Sequence, residues 1–280
     1  MSAINTISAE KLLRLIGTHG CPAVVDVRSD DEFARDERLV PSSIRRGSQS
    51  VAQWSERFAG REVIVLCENA MATSPGVAAW LRHGDAVADV LEGGFAAWKS
   101  AKLPLVQQSL LPRRDSEGRT RWVTRSRPKV DRIACPWLIR RFVDPYAMFL
   151  YVAPSEVLCV AEQFEAAPFD IDAEGVFWSH RGDLCTFDVM VQELGLSGFE
   201  ALQRLAVIVR GADTGHPELC PEAPGLLASS LGLSRMYADD LEQLEAGMVV
   251  YDSLYRWSRD ATDETHNWVS HRPAKPKRRL

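Results

Sequence analysis

Two short apolar runs rich in β-branched residues, Ala23-Val-Val-Asp-Val27 and Val63-Ile-Val-Leu66, most constrain how this chain can fold. They are too short for buried helices and too uniformly apolar for half-exposed strands, so they predict strands covered on both faces, as in a parallel sheet. Helical patterns over residues 9–18, 51–58 and 76–82 separate them. A third strand is expected over 86–91, closed by Gly93-Gly94, with another helix opening at Phe95-Ala-Ala-Trp98. This βαβα order predicts an α/β domain over residues 1–108, a small open parallel sheet with flanking helices.

Leu103-Pro104 and Leu111-Pro112 punctuate the end of that domain, and an Arg-rich run with Gly118 predicts a basic linker over 109–120. In a chain of 280 residues a second domain is expected. It is placed at 121–272, with a basic tail over 273–280. Its pattern is mainly α-helical: a helix over 136–143 with Pro136 in its first turn, one from an N-cap at Thr186 to Leu194, one over 199–213, and two more over 239–246 and 248–257. Short strands are expected over 149–152 and 157–160. Trp137, Trp178 and Trp257 are expected to pack in the core.

With 46% hydrophobic and 25% charged residues the chain is globular rather than disordered. No apolar run approaches the roughly 18–20 residues that span a bilayer, and the start lacks a basic segment followed by an apolar one. No membrane partner and no signal peptide are therefore expected, and the cytoplasm is the default compartment. The six cysteines form no CxxC pair, which argues against a disulfide framework or a zinc ribbon. Charge is distributed unevenly: residues 113–132 carry a net +5, residues 133–271 a net −14, and the segment from Arg272 a net +5. The basic segments are expected to be solvated or to lie on the acidic body. A nucleic-acid role is weakly supported, because that body repels phosphate and no binding motif is present.

Cys67 follows the strand at 63–66 and precedes Glu-Asn-Ala-Met-Ala-Thr-Ser-Pro, which leads into a helix. Ligands of open α/β sheets collect at such strand ends, and a loop curling into a helix can aim backbone N–H groups at one spot, favouring a thiolate and an anion beside it. Asp26-Val-Arg28 with Glu32-Phe33, Cys67 with Ser74, and Leu91-Glu-Gly-Gly-Phe-Ala-Ala-Trp98 together resemble the rhodanese (sulfurtransferase) domain family over about residues 5–107. The resemblance implies that Cys67 is the catalytic nucleophile, accepting a sulfane sulfur as a persulfide. The loop Glu68, Asn69, Ala70, Met71, Ala72, Thr73 and Ser74 would bind the substrate, with Asp26, Arg28, Gly93 and Gly94 as structural support. Its partners would be a sulfane-sulfur donor and a thiol acceptor, either small molecules or proteins. This loop departs from the family pattern: it has no Arg or Lys to hold an anionic donor, it carries Glu68, and Ala70 stands where glycine is common. A rhodanese-like module without catalysis is the alternative for this domain.

Further along, Trp122-Val-Thr-Arg125, the run from Val130 to Phe142, His180-Arg-Gly-Asp-Leu-Cys-Thr-Phe-Asp188, Ile208-Val-Arg-Gly-Ala-Asp213 and Tyr251-Asp-Ser-Leu-Tyr255 resemble the C-terminal domain of the chromate-resistance ChrB family. His180, Asp188, Asp213 and Glu222 are candidate nitrogen and oxygen ligands for Mn, Fe or Zn, and the acidic body favours a cation. Three of them also have a plainer role: Asp188 near a helix start, His180 as a hydrogen-bonded structural residue, and Asp213 paired with Arg132, Arg140 or Arg141. Cys135 and Cys185 are core residues or second thiols. The combined expectation is a sulfurtransferase-like protein linked to chromate resistance or thiol and oxyanion stress. The alternatives are a chromate-responsive regulator and a metal-dependent enzyme centred on the second domain.

Overall fold

The computed structural model describes residues 5–264. The predicted tail at 273–280 and the predicted domain end at 272 lie outside the described residues. The first half contains β1 (Thr6–Ile7), α1 (Ala9–Leu15), β2 (Ala23–Asp26), α2 (Asp30–Arg35), β3 (Arg38–Leu39), β4 (Ser43–Arg45), α3 (Val51–Trp54), β5 (Glu62–Leu66), α4 (Thr73–His83), β6 (Val87–Leu91), α5 (Gly94–Ser100) and β7 (Val106–Gln107). Five of its strands form one parallel sheet in the order β1-β6-β5-β2-β4. The three strands expected from apolar runs are its middle, where both faces are covered. The edge strands β1 and β4 are two and three residues long and carry too little pattern to be foreseen. The same holds for the antiparallel ribbon of β3 and β7.

The second half contains β8 (Arg121–Arg125), α6 (Asp131–Phe142), β9 (Met148–Val152), α7 (Val157–Gln163), β10 (Ala167–Pro168), α8 (Thr186–Glu193), α9 (Glu200–Asp213), α10 (Ala223–Met236) and α11 (Asp240–Asp260). It is mostly helical, with a three-stranded parallel sheet in the order β10-β8-β9. Among the described residues no helix is long and apolar enough to cross a membrane.

Several local elements differ from the pattern expected of the sequence. Residues 157–160 are helical: in α7 Val157 is buried, and Val160 and Ala161, three and four residues on, pack partly buried against the same small cluster. Helix α6 begins five residues before Pro136, which sits inside it. Proline lacks the N–H that would bond the carbonyl four residues back. That carbonyl, of Arg132, accepts a hydrogen bond from the Tyr151 hydroxyl at 2.8 Å instead. The two expected C-terminal helices are one continuous α11, since Gly247 at their junction lies against Ile133 and lets the helix pass close to α6. Helix α10 was not foreseen, as its apolar stripe is weak and only Ala223 and Leu226 among its hydrophobic residues are buried.

One apolar core runs through both halves, from Leu12, Ile16 and Trp98 to Trp137, Phe142, Leu205 and Tyr255. Gly17, at φ +82°, admits the Phe142 and Tyr255 rings: a Cβ there would lie 2.2 Å from Phe142. Ser42 N–H donates to the Phe142 carbonyl at 2.6 Å, and Arg259 donates to the Arg14 carbonyl at 2.7 Å. The 109–120 segment is fastened to both halves. Arg114 pairs with the buried Asp144 at 3.2 Å, and Arg57 pairs with Glu117 at 2.8 Å. The arginines of the basic stretch are engaged by neighbours. Arg113 and Arg121 pair with Glu165, Arg119 with Asp115, and Arg125 and Arg132 with Asp170, while Arg127 donates its guanidinium to the Ser234 and Tyr237 carbonyls and its backbone N–H to Asp240.

Because the core is shared, calorimetry of the full chain is expected to show a single unfolding transition. Gly17→Ala should lower its stability by about 2–4 kcal/mol, from a left-handed backbone and an overpacked contact. Two separate transitions, or an unaffected melting temperature, would contradict this.

Candidate functional site

Cys67 immediately follows β5, the central strand of the five-stranded sheet. Its buried Sγ lies 3.1 Å from the Ser74 hydroxyl and 3.6 Å from the Met71 carbonyl. Ser74 is itself buried in the first turn of α4, so this partner is held in place. The expected ring of amides around the sulfur is not formed: among the described residues no backbone N–H donates to Sγ. The Met71 N–H donates to Asn69 Oδ1 and the Thr73 N–H to the Met71 carbonyl. The loop turns through left-handed backbone at Ala70 (φ 59°) and Ala72 (φ 49°), at a cost of about 1–2 kcal/mol for each Cβ-bearing residue. Asn69, Met71, Ala72 and Thr73 are exposed, Met71 at 69%, whereas Glu68 and Ala70 are half-buried.

The loop is braced from two sides. The Phe95 and Ala96 N–H groups, at the start of α5, donate to the Cys67 and Glu68 carbonyls at 2.9 and 2.8 Å. Gly94 makes that approach achievable, since a Cβ there would lie 2.3 Å from the Cys67 carbonyl oxygen. Gly93 and Gly94 both have positive φ, which supplies the turn. On the neighbouring strand, Asp26 and Arg28 form a fully buried pair at 2.7 Å. The guanidinium also donates to the Asp36 and Arg38 carbonyls and lies 3.7 Å from the Phe95 ring centre. Removing either partner of such a pair leaves an uncompensated buried charge.

A second constellation lies in the other half, where Asp131, Asp170, His180 and Asp213 each place one ligand-type atom within 4.8 Å of the others. His180 Nε2 is 3.2 Å from Asp213 Oδ2, 3.4 Å from Asp170 Oδ1 and 3.7 Å from Asp131 Oδ2. Four different segments supply these residues: the start of α6, the turn after β10, the loop before α8 and the last residue of α9. The turn at Asp170 is left-handed (φ 52°) and tied to Trp178 by a 2.9 Å hydrogen bond. The start of α6 is clamped by α10 and α11 through Ser230 to the Val130 N–H, Gln243 to the Pro128 carbonyl and Tyr251 to the Val130 carbonyl.

The electrostatics of this cluster follow from burial and crowding. Desolvation, then the carboxylates of Asp213 and Asp170, push the Asp131 carboxyl well above the usual range. Hydrogen bonds to Asp170 and Asp213 push His180 up to about 10, against the effect of burial. The Phe187 N–H donates to Asp131 Oδ2 and the Thr186 hydroxyl to Asp170 Oδ1, while Arg125 and Arg132 both take Asp170 Oδ2.

Of the four ligands expected from sequence, the structure brings together His180 and Asp213 and leaves out two. Asp188 turns its Oδ2 to the Cys185 N–H and its Oδ1 to Arg210 at 3.5 Å, and burial raises its carboxyl. Glu222 stands just before α10, where its carbonyl accepts from Leu226. Asp213 pairs with none of the arginines considered for it: Arg132 is taken by Asp170, Arg140 by Glu245 and Arg141 by Asp252. Thr186 is the first helical residue rather than the cap, which frees its hydroxyl for Asp170. Cys135 and Cys185 are buried core thiols raised by desolvation. Sequence reasoning missed Asp131 and Asp170. The available signal was a carboxylate in an apolar setting, Phe169-Asp-Ile171 and Val130-Asp-Arg-Ile133.

Comparison with known proteins matches residues 8–101 to the rhodanese-like domain family and residues 122–258 to the ChrB C-terminal domain family. The chain is 36% identical over 151 residues to Protein ChrB of Cupriavidus metallidurans, covering 52% of this chain and 43% of that protein. It therefore spans less than half the length of that relative. A rhodanese-related protein from Thermoplasma volcanium aligns at 21% identity and a TM-score of 0.33, over 37% of this chain and 98% of that one. A thiosulfate sulfurtransferase from Pseudomonas aeruginosa aligns at 22% identity and a TM-score of 0.31, over 36% of this chain and 19% of that one. The chain thus joins a segment similar to the rhodanese-like domain family to one similar to the ChrB C-terminal domain family.

Proposed function

We propose that the rhodanese-like domain carries sulfane sulfur as a persulfide on Cys67, in a protein serving chromate resistance or the related thiol and oxyanion stress. The observation that carries this reading is the position of Cys67: a thiol at the carboxyl end of the central strand, 3.1 Å from a fixed hydroxyl and braced by α5. The Cys67 thiolate attacks the outer sulfur of a persulfide donor. An S–S bond forms at Cys67, the donor's own S–S bond breaks, and the donor leaves as a thiolate. An acceptor thiolate then attacks the outer sulfur on Cys67, takes it as a new persulfide, and regenerates the Cys67 thiolate. Ser74 is placed to donate a hydrogen bond to the anionic sulfur at either stage.

Two features select the donor. Cys67 is only 2% exposed, which favours a small or slender persulfide. The loop between Cys67 and Ser74 has no cation and carries Glu68, which opposes the doubly charged thiosulfate.

Intact mass of the reduced full chain after treatment with a low-molecular-weight persulfide should show one added sulfur atom, absent in Cys67→Ser. Failure to add sulfur, or equal addition in the variant, overturns the reading. In a separate assay with thiosulfate, Glu68→Arg should raise the rate of Cys67 modification by roughly tenfold, the lower range of electrostatic steering. An unchanged rate would mean that charge in the loop does not set donor choice.

A further inference from the structure

We infer that Asp131, Asp170, His180 and Asp213 bind one divalent first-row transition cation, in a site independent of Cys67 and of the sulfur chemistry proposed for it. The donor set is three carboxylates and one imidazole. Oxygen donors suit hard cations and imidazole suits transition metals, so the class is that of Mn(II) or Fe(II).

Geometry supports this assignment. Ligands about 2.1 Å from a common ion stand roughly 3.0–4.2 Å apart. The separations of 3.2, 3.4 and 3.7 Å from His180 Nε2 to the three carboxylates lie within that interval.

An acidic cluster alone is not a site, and a separate observation points to a ligand here. Asp131 is fully buried and its carboxylate faces the cluster through Oδ2, yet its Oδ1 is buried with no hydrogen-bond donor. A buried carboxylate oxygen without a donor carries a desolvation penalty of several kcal/mol unless a cation meets it. No Lys or Arg lies within 4.0 Å of Asp131 or Asp213 among the described residues, because both nearby guanidiniums engage Asp170 Oδ2. Asp213 is moreover the last residue of α9, at the negative end of the helix dipole, where a carboxylate needs a positive partner.

The neighbours have the form of a ligand-orienting layer. Thr186 fixes Asp170 Oδ1, the Phe187 N–H fixes Asp131 Oδ2, and the two arginines hold the far oxygen of Asp170. On the side of His180, whose side chain is 42% exposed, the ion would keep positions open to water or another small ligand.

The test uses the full chain, purified without a histidine tag, stripped with a chelator and titrated with Mn(II). One Mn(II) per chain is expected, with a raised melting temperature and nitrogen modulation from one imidazole in pulsed electron paramagnetic resonance. Asp131→Asn and His180→Ala should each weaken binding well beyond the roughly tenfold loss expected for the outer partner in Thr186→Val. His180→Ala should also abolish the nitrogen modulation. Asp131→Asn is expected to lose the Mn(II)-induced rise in melting temperature as well. Absence of stoichiometric binding, equal affinity in both ligand variants, or nitrogen modulation that survives His180→Ala would overturn the inference and leave the cluster as an imidazolium–carboxylate ion group.

Discussion

The packing of Phe142 and Tyr255 against the backbone at Gly17 is the contact on which the rest of the arrangement depends. It joins the end of α6, the last long helix and the turn after α1 in one apolar layer. Trp137 lies against both rings one turn earlier in α6 and continues that layer into Phe187 and Tyr251. Hydrophobic burial of this kind is proportional to area and without direction, so directional bonds such as those from Ser42 to the Phe142 carbonyl and from Arg259 to the Arg14 carbonyl fix the register between the halves.

Helix α6 links that layer to the acidic cluster. Its first residue is Asp131, its interior is entirely buried from Ile133 to Ile139, and its last residue is Phe142. Twelve helical residues span about 18 Å, which is the separation the helix maintains between cluster and contact layer. The proline within it would ordinarily weaken such a rod. The Tyr151 hydroxyl takes the carbonyl that Pro136 leaves free, so the helix continues without an unsatisfied group.

What could be read from the sequence followed the strength of local pattern. The central strands, Cys67 at the end of β5, and helices such as α9 are written in continuous apolar periodicity, and they are where the sequence placed them. Short edge strands and α10 carry no such pattern and depend on tertiary neighbours. The acidic site was half legible: His180 and Asp213 sit beside recognisable segments, whereas Asp131 and Asp170 owe their place to the clamping of residues 128–130 and to a left-handed turn. Asp188 looked like a ligand for the same reason that it is a good first-turn residue of α8: a carboxylate there meets free N–H groups, and it spends its Oδ2 on one.

The glycine at position 17 has a consequence for how such chains can be assembled. A rhodanese-like unit that ends its first helix at a bare backbone has, in effect, surrendered part of its inner surface to rings supplied by the next unit. Neither half presents a finished exterior at this seam. Cutting the chain between β7 and β8 would expose Phe142 and Tyr255 on one fragment and the floor beneath Gly17 on the other. The two units are therefore not beads that can be restrung with arbitrary neighbours. Any new partner would have to bring a ring of matching shape to the same glycine.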